Sequence, residues 1–321
     1  MLNDVANSKP TSEINRDGAC RILALDGGGA KGFYTLGVLE EIEGMLGCPL
    51  CERFDLVFGT STGAIIAALI ALGHPIATVH DLYRKYVPRI LGTKTRSARS
   101  RALAVLADEV FDKVTFDSVK TGVGIVATKW LIERPMIFKS DIRQAHGRKG
   151  TFQPGFGVSI SDAVQASCSA YPFFERKLIT TGAGEEVELI DGGYCANNPT
   201  LFAIADAVGP LNKQRSDVRV VNVGVGVYPE PKPSLMMWFA KRYLMSVQLL
   251  QKTLEINTQS MDQIRAILFA DVKTVRISDT FSQPEMATDL LENDLKKLNI
   301  LHQRGRESFA SREVALRDLL T

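Results

Sequence analysis

Three short stretches of this chain carry residues whose types and spacing could cleave an ester. Gly59-Thr60-Ser61-Thr62-Gly63 lies between one apolar run, Phe54 to Phe58, and another, Ala64 to Leu72. A G-x-S-x-G turn from strand to helix holds its serine on a sharp bend at the sheet's carboxyl edge, and the helix N-terminus favours negative charge developing there. Gly59 and Gly63 leave out the side chains that would collide where strand and helix approach. Ser61 is therefore the candidate nucleophile. The alternative is a small-residue turn that merely joins two buried elements, and five residues alone do not decide between them.

A serine nucleophile needs a base and a place for oxyanion charge to rest. The four histidines, His74, His80, His146 and His302, do not occupy the strand-end loops that suit a triad histidine. Asp191 ends the alternating run Glu186 to Ile190, and Gly192 and Gly193 let the chain turn away without shielding its carboxylate. With an ordinary pKa of about 3.9 an aspartate is a weak base, so it must lie within hydrogen-bond reach of the serine and out of water. A plain D-G-G turn, its carboxylate bound to local amides, is the open alternative. Gly27, Gly28 and Gly29 follow a buried strand and open a helix, and their unblocked N–H groups form a loop of the oxyanion-hole kind. A nucleotide cradle fits them less well: no acidic residue ends the next strand, and Lys31 is followed by glycine rather than Ser or Thr.

These stretches need a scaffold that gathers strand ends. Strands are expected over Cys20 to Leu25, Phe54 to Phe58, Val123 to Thr128, Met136 to Lys139, Glu186 to Ile190, Val218 to Val225 and Val272 to Ile277. Helical stretches separate them, among them Phe33 to Leu46, Pro75 to Val87, Ser161 to Ala170 and Pro199 to Val208, where Pro199 suits the first turn and Asn198 the cap. Alternating helices and apolar strands predict an α/β fold of three layers, α/β/α, with a mainly parallel central sheet. Residues 92–100, GTKTRSARS, have the composition of a mobile loop. They lie within a run from Arg84 to Arg101 that holds seven basic residues and no acidic one, either a solvated surface or a contact for an anionic headgroup or effector. Ser234 to Leu250 mixes Met236, Met237, Trp238 and Phe239 with Lys241, Arg242 and Tyr243, a mixture that serves an interfacial helix or a packed one.

With 321 residues and 45% hydrophobic content, the chain can fill one domain over 19–321 with a largely helical C-terminal third, behind a mobile polar arm at 1–18. A net charge of +2 argues against polymeric nucleic acid as a partner. The longest strongly apolar stretch, Ala64 to Leu72, is too short to cross a bilayer, and the polar N-terminus lacks the apolar core of a secretory signal, so a cytoplasmic location is the default. Five cysteines in that setting read as reduced thiols. Cys48-Pro49-Leu50-Cys51 has no second pair or nearby histidine to complete a zinc site.

In their order and spacing these stretches resemble the patatin-like phospholipases. Asp26-Gly27-Gly28-Gly29-Ala30-Lys31-Gly32 is similar to the family's D-G-G-G-x-[RK]-G oxyanion loop, Gly59 to Gly63 to its nucleophile elbow, and Asp191-Gly192-Gly193 to its catalytic D-G-G. Ala166 to Pro172 and Asn197-Asn198-Pro199 extend the likeness over about residues 20 to 205, with Tyr171 where the family often has alanine. The resemblance implies a lipid acyl hydrolase in which Ser61 attacks an acyl ester of membrane phospholipid and Asp191 takes its proton. Gly27, Gly28 and Gly29 would hold the oxyanion, with Lys31, Gly32, Gly59, Gly63, Gly192 and Gly193 in support. It implies neither a metal nor a calcium requirement. The general layout is also similar to bacterial patatin-like effectors of antiphage signalling, which implies a cyclic di- or trinucleotide activator and peripheral docking at the inner face of the membrane. Homo-oligomerisation is left open, as are two other functions: a carboxylesterase or acyltransferase on non-membrane substrates, and a catalytically silent lipid or nucleotide sensor.

Overall fold

Two strands buried along their whole length, β1 (Cys20–Leu25) and β2 (Leu56–Thr60), form the centre of the sheet. The computed structural model describes residues 18–231 and 241–321, without the side chains of 241–247. From β1 the glycine turn leads into α1 (Gly32–Leu46), α2 (Leu50–Arg53) returns the chain to β2, and β2 enters α3 (Thr62–Leu72) at Ser61. Next come α4 (Ile76–Leu91), α5 (Arg96–Phe111), the hairpin of β3 (Gly122–Lys129) and β4 (Arg134–Lys139), and α6 (Ile160–Ser167). A second hairpin, β5 (Lys177–Thr180) and β6 (Glu186–Asp191), precedes α7 (Gly193–Ala196), α8 (Thr200–Val208) and β7 (Val218–Val223). The described chain ends with α9 (Lys241–Leu268), β8 (Lys273–Ile277), α10 (Leu295–Ala310) and α11 (Glu313–Leu320).

The sheet is mixed, with a parallel centre in the order β3-β2-β1-β7-β8 and β4, β5 and β6 added antiparallel. Because successive strand residues point to opposite faces, Leu23 and Leu25 enter one core with Phe33 and Ile66, while Cys20 and Ile22 enter another with Ile204 of α8. Helices thus cover both faces. The all-apolar α3 lies in the larger core, against the sheet, α4 and α6, which is why its sequence shows no polar face.

Strand register explains how two distant parts of the chain meet. β4 pairs with β3 over 124–129, so β2, paired over 122–126, and β6, paired over 127–129, must share the other edge of β3. They run toward each other along it. Thr60 is opposite Val126 and Asp191 is opposite Ala127, so the two strands stop at adjacent levels, and the next residue after Thr60 is Ser61.

Three expectations are corrected, and one strand is added. The strand that ends at Asp191 departs from the expected mainly parallel sheet, because β6 runs antiparallel to β3 and reaches the carboxyl edge of β2 from beyond it. Residues 92–100 are not a loop throughout: α5 begins at Arg96, with Thr95 Oγ1 accepting the Ala98 N–H at 3.2 Å, and Leu103, Leu106 and Phe111 give it a buried face. β5 is a short strand that the sequence reading omits. α8 starts at Thr200 rather than Pro199, and Asn198 Oδ1 accepts the Thr200 N–H at 3.0 Å. Residues 1–17 of the expected arm and residues 234–240 of the expected interfacial helix lie outside the described residues, as do the side chains of Lys241, Arg242 and Tyr243. Among the described residues no helix is long and apolar enough to cross a membrane.

Candidate active site

Ser61 has φ 54° and ψ −123°, a backbone conformation that non-glycine residues avoid unless their surroundings enforce it. Close backbone packing enforces it here. A Cβ on Gly59 would lie 2.2 Å from the Gly63 carbonyl oxygen, and one on Gly63 would lie 2.4 Å from that of Leu25. The Ser61 N–H donates to Ser167 Oγ at 2.9 Å, and that hydroxyl donates to the Val126 carbonyl at 2.6 Å. Tyr83 donates to the Thr62 carbonyl at 2.6 Å, and Gly32 lets α1 start so near the elbow that a Cβ would come within 2.6 Å of Thr62 Oγ1.

Facing the elbow, Asp191 Oδ2 accepts the Ser61 hydroxyl proton at 2.6 Å, and Oδ1 accepts the Gly193 N–H at 2.7 Å. Asp191 is 2% exposed. Burial raises its pKa from the ordinary carboxylate value to about 7, against the opposing effect of the Ser61 and Gly193 hydrogen bonds. The chain reversal behind it is tight: a Cβ on Gly192 would sit 2.1 Å from the Val126 carbonyl oxygen, and one on Gly193 would sit 2.6 Å from Leu254. Ser167 and Ser169 accept backbone N–H groups from Gly192 and Asp191, so one segment braces both halves of the pair.

The glycine loop divides into two parts. Asp26 is buried and turned toward the sheet, where it accepts from Arg276 Nη2 at 2.9 Å and Asn222 Nδ2 at 2.8 Å. Gly27 donates its N–H to the Asn197 carbonyl at 3.0 Å and accepts from Asn197 Nδ2 at 3.1 Å. Its expected place among the oxyanion donors is corrected accordingly: that N–H is already committed. Gly28 and Gly29 line the cleft, and their N–H groups have no partner among the described residues. Lys31 is buried behind the loop with Nζ 5.6 Å from the centroid of the Tyr228 ring, and burial lowers its pKa. Gly29, at φ +58°, is so close to the 290s loop that a Cβ would lie 2.4 Å from the Leu290 carbonyl oxygen. Gly29→Ala is therefore expected to displace one donor and lower kcat for ester hydrolysis by about a hundredfold, with a smaller change in KM, as steady-state kinetics would read.

Ser61, Asp191, Gly28 and Gly29 open onto one cleft. Its remaining walls are apolar, from Ile65 of α3, Val87, Ile90 and Leu91 of α4, Leu103 of α5, Phe173 and Phe174, Leu250 and Leu254 of α9, and Leu290 and Leu291. Such walls accept a hydrocarbon chain and exclude water from a bound ester. Cys168 also borders the cleft, where burial raises its thiol pKa well above the ordinary value and keeps it protonated. No histidine lines the cleft. His80 and His302 stack on each other, and His146 binds Asp206. Among the described residues no cluster of three or more His, Cys, Asp or Glu is arranged to hold a metal, and all five cysteines are free.

Ser167, Asn197 and the Leu290 carbonyl are positioning groups that sequence reasoning missed. Ser167 and Asn197 fall in segments read as a small-residue helix and a helix start that extend the family likeness, with no role given to either residue; a buried polar residue beside each chain reversal was the available signal. Leu290 has no local signal.

The model of the family described as "Patatin-like phospholipase" matches residues 23–204. A relative from Escherichia coli named cUMP-AMP-activated phospholipase is 68% identical over 320 residues, spanning the whole of both chains. A Vibrio cholerae relative named cGAMP-activated phospholipase is 30% identical over 234 residues, covering 64% of this chain and 63% of its own. A Rattus norvegicus relative named calcium-independent phospholipase A2-gamma is 26% identical over 203 residues, covering 57% of this chain and 26% of its own. With its glycine loop, serine elbow and D-G-G turn inside the matched region, and full-length coverage by a phospholipase of high identity, this chain belongs to the patatin-like phospholipase family.

Proposed function

We propose that this chain hydrolyses fatty-acyl esters of membrane phospholipids through Ser61 and Asp191, and that a cyclic dinucleotide, cUMP-AMP first among them, activates it. The observation that carries the hydrolytic part is the 2.6 Å hydrogen bond from Ser61 Oγ to a buried carboxylate that lines an apolar cleft. As Oγ attacks the ester carbonyl carbon, its proton passes to Asp191 Oδ2, and the new oxyanion faces the Gly28 and Gly29 N–H groups. Asp191 returns the proton to the leaving lysophospholipid alcohol. A water deprotonated by the same carboxylate then attacks the acyl-serine carbonyl, and as the bond to Oγ breaks Asp191 passes that proton to Oγ, which releases the fatty acid and restores the serine.

The names of the two bacterial relatives support nucleotide activation, and an antiphage role goes with that reading. The protein then works in the cytoplasm, peripheral to the inner face of the membrane. The mechanism uses no metal, in keeping with the name of the rat relative. The test is fatty-acid release from phospholipid vesicles with no nucleotide, with cUMP-AMP, with cGAMP and with a cyclic trinucleotide, beside Ser61→Ala and Asp191→Ala. Release that needs cUMP-AMP, persists in EDTA and vanishes in both variants is the expected result. Hydrolysis of soluble short-chain esters with none of vesicles would instead identify a carboxylesterase, and a Ser61 that no fluorophosphonate labels under any nucleotide would sink the enzyme reading.

A further inference from the structure

The hairpin joining β3 to β4 turns through Trp130-Leu131-Ile132-Glu133, where short turns ordinarily carry Gly, Asn, Asp or other polar residues. Leu131 is 80% exposed, Ile132 55% and Trp130 38%. They add nothing to the core, so their apolar character calls for a partner outside the fold. Leu178 on β5, 58% exposed, extends the patch: it pairs with Glu188, whose carbonyl accepts the Trp130 N–H at 2.9 Å.

Its position ties this patch to the cleft. Leu131 lies four residues beyond Ala127, the partner of Asp191, so the tip projects roughly 13 Å past the catalytic level in the direction of the sheet's carboxyl edge. At the foot of the hairpin the Trp130 ring lies 5.7 Å from that of Tyr171, with Arg176 over both. Tyr171 sits between Ala170 and Phe173, which line the cleft, and receives the Arg96 guanidinium at 5.6 Å. Arg96 in turn belongs to the run from Arg84 to Arg101, which carries seven positive charges and no acidic residue.

Charge around the tip has the sign that suits an anionic surface. Lys129 and Arg134 are the last paired residues of the hairpin, one cation at each foot, against a single acid, Glu133, in the turn. Glu185 faces Lys129 at 3.9 Å and Glu188 faces Arg176 at 3.1 Å, whereas Arg134 beside the tip and Arg96 over Tyr171 have no carboxylate partner among the described residues. Indole and tyrosine rings backed by basic side chains are the residues that settle at a bilayer's headgroup level, with aliphatic neighbours below them in the acyl region.

The geometry points to the Trp130 to Glu133 hairpin as the element that inserts into an anionic phospholipid bilayer and holds the cleft mouth against it. This deepens the phospholipase reading above and rests on it. The partner is the lipid surface rather than a second copy of the chain, because cations frame the apolar tip on both strands and self-association would bring like charges together.

The test uses the full chain with cUMP-AMP, vesicles of phosphatidylethanolamine and phosphatidylglycerol, and the double variant Leu131→Ser/Ile132→Ser. Vesicle co-sedimentation and fatty-acid release are expected to fall together by about tenfold or more, while hydrolysis of a soluble short-chain ester stays within about twofold of wild type. Leu131→Phe/Ile132→Phe should restore sedimentation, and Arg134→Glu should weaken it most at low salt. Unchanged sedimentation of the serine variant, equal loss on the soluble ester, a wild type that does not bind these vesicles, or a dimer that the serine variant dissociates would each overturn the proposal. A wild type that binds vesicles in a Leu131-dependent way yet releases no fatty acid would instead count against the phospholipase reading alone.

Discussion

Asp191→Asn is expected to lower phospholipid hydrolysis by about a thousand- to ten-thousand-fold, and Ser61→Ala by as much. The loss follows from who holds which proton. In the wild type both carboxylate oxygens accept, Oδ1 from the Gly193 N–H and Oδ2 from the Ser61 hydroxyl. An asparagine that keeps its oxygen on Gly193 must point its NH2 at Ser61, so the serine becomes an acceptor and its proton has no base to go to. Size and burial hardly change, which separates the chemical effect from packing damage. Because the two residues act as a unit, the double variant should be no worse than either single one. Fatty-acid release at saturating nucleotide measures the loss, and a variant retaining a tenth of wild-type activity would sink the assignment of Asp191 as base.

The same pair predicts the pH profile. Asp191 can take a proton only when ionised, and burial holds its pKa at about 7, so kcat/KM should rise about tenfold per pH unit below that value and level off above it. A profile already flat from pH 5 would mean that the carboxylate is better solvated than its burial indicates.

What could be read from the sequence is what depends on neighbours in the chain. The elbow at Ser61, the glycine loop and the D-G-G turn each declare themselves in a run of a few residues, although the close approaches that demand their glycines, Gly63 to Leu25, Gly29 to Leu290 and Gly192 to Val126, come from distant parts of the chain. An apolar run such as Phe54 to Phe58 or Val218 to Val225 announces a buried strand wherever it pairs. Partner choice is different. Nothing within Glu186 to Asp191 says that it will share an edge of β3 with β2 and arrive from the opposite direction, yet that register is what brings Asp191 to Ser61. Likewise, only the fold commits the Gly27 N–H to Asn197 and leaves those of Gly28 and Gly29 for the cleft. The loop composition of residues 92–100 misled because the apolar residues that make α5 a helix, Leu103, Leu106 and Phe111, come after it. The Leu131 hairpin escaped notice for a related reason: a short apolar run looks like core until its exposure is known.

Holding a carboxyl group ready for this chemistry destabilises the fold at the pH where it works, and Asp191→Asn should reveal by how much. The folded pKa is about 7 and the unfolded value about 3.9. Below pH 4 the group is protonated in both states and contributes its full stabilising effect relative to the ionised form. Between the two values the folded protein keeps a proton that the unfolded chain has released, so stability falls as pH rises and levels off once the folded pKa is passed. The gap corresponds to roughly 4 kcal/mol at full ionisation. Asparagine cannot ionise and is exempt from this loss. The variant's advantage over wild type in urea unfolding should therefore grow by a few kcal/mol between pH 4.5 and pH 8, nearly all of it below pH 7. Ser61→Ala removes a hydrogen bond that favours the charged carboxylate, so it should carry the wild-type decline to higher pH rather than abolish it. If the stability difference between Asp191→Asn and wild type stayed constant across that range, Asp191 would be ionised at all of those pH values and the buried carboxylate would have lost its claim to a raised pKa.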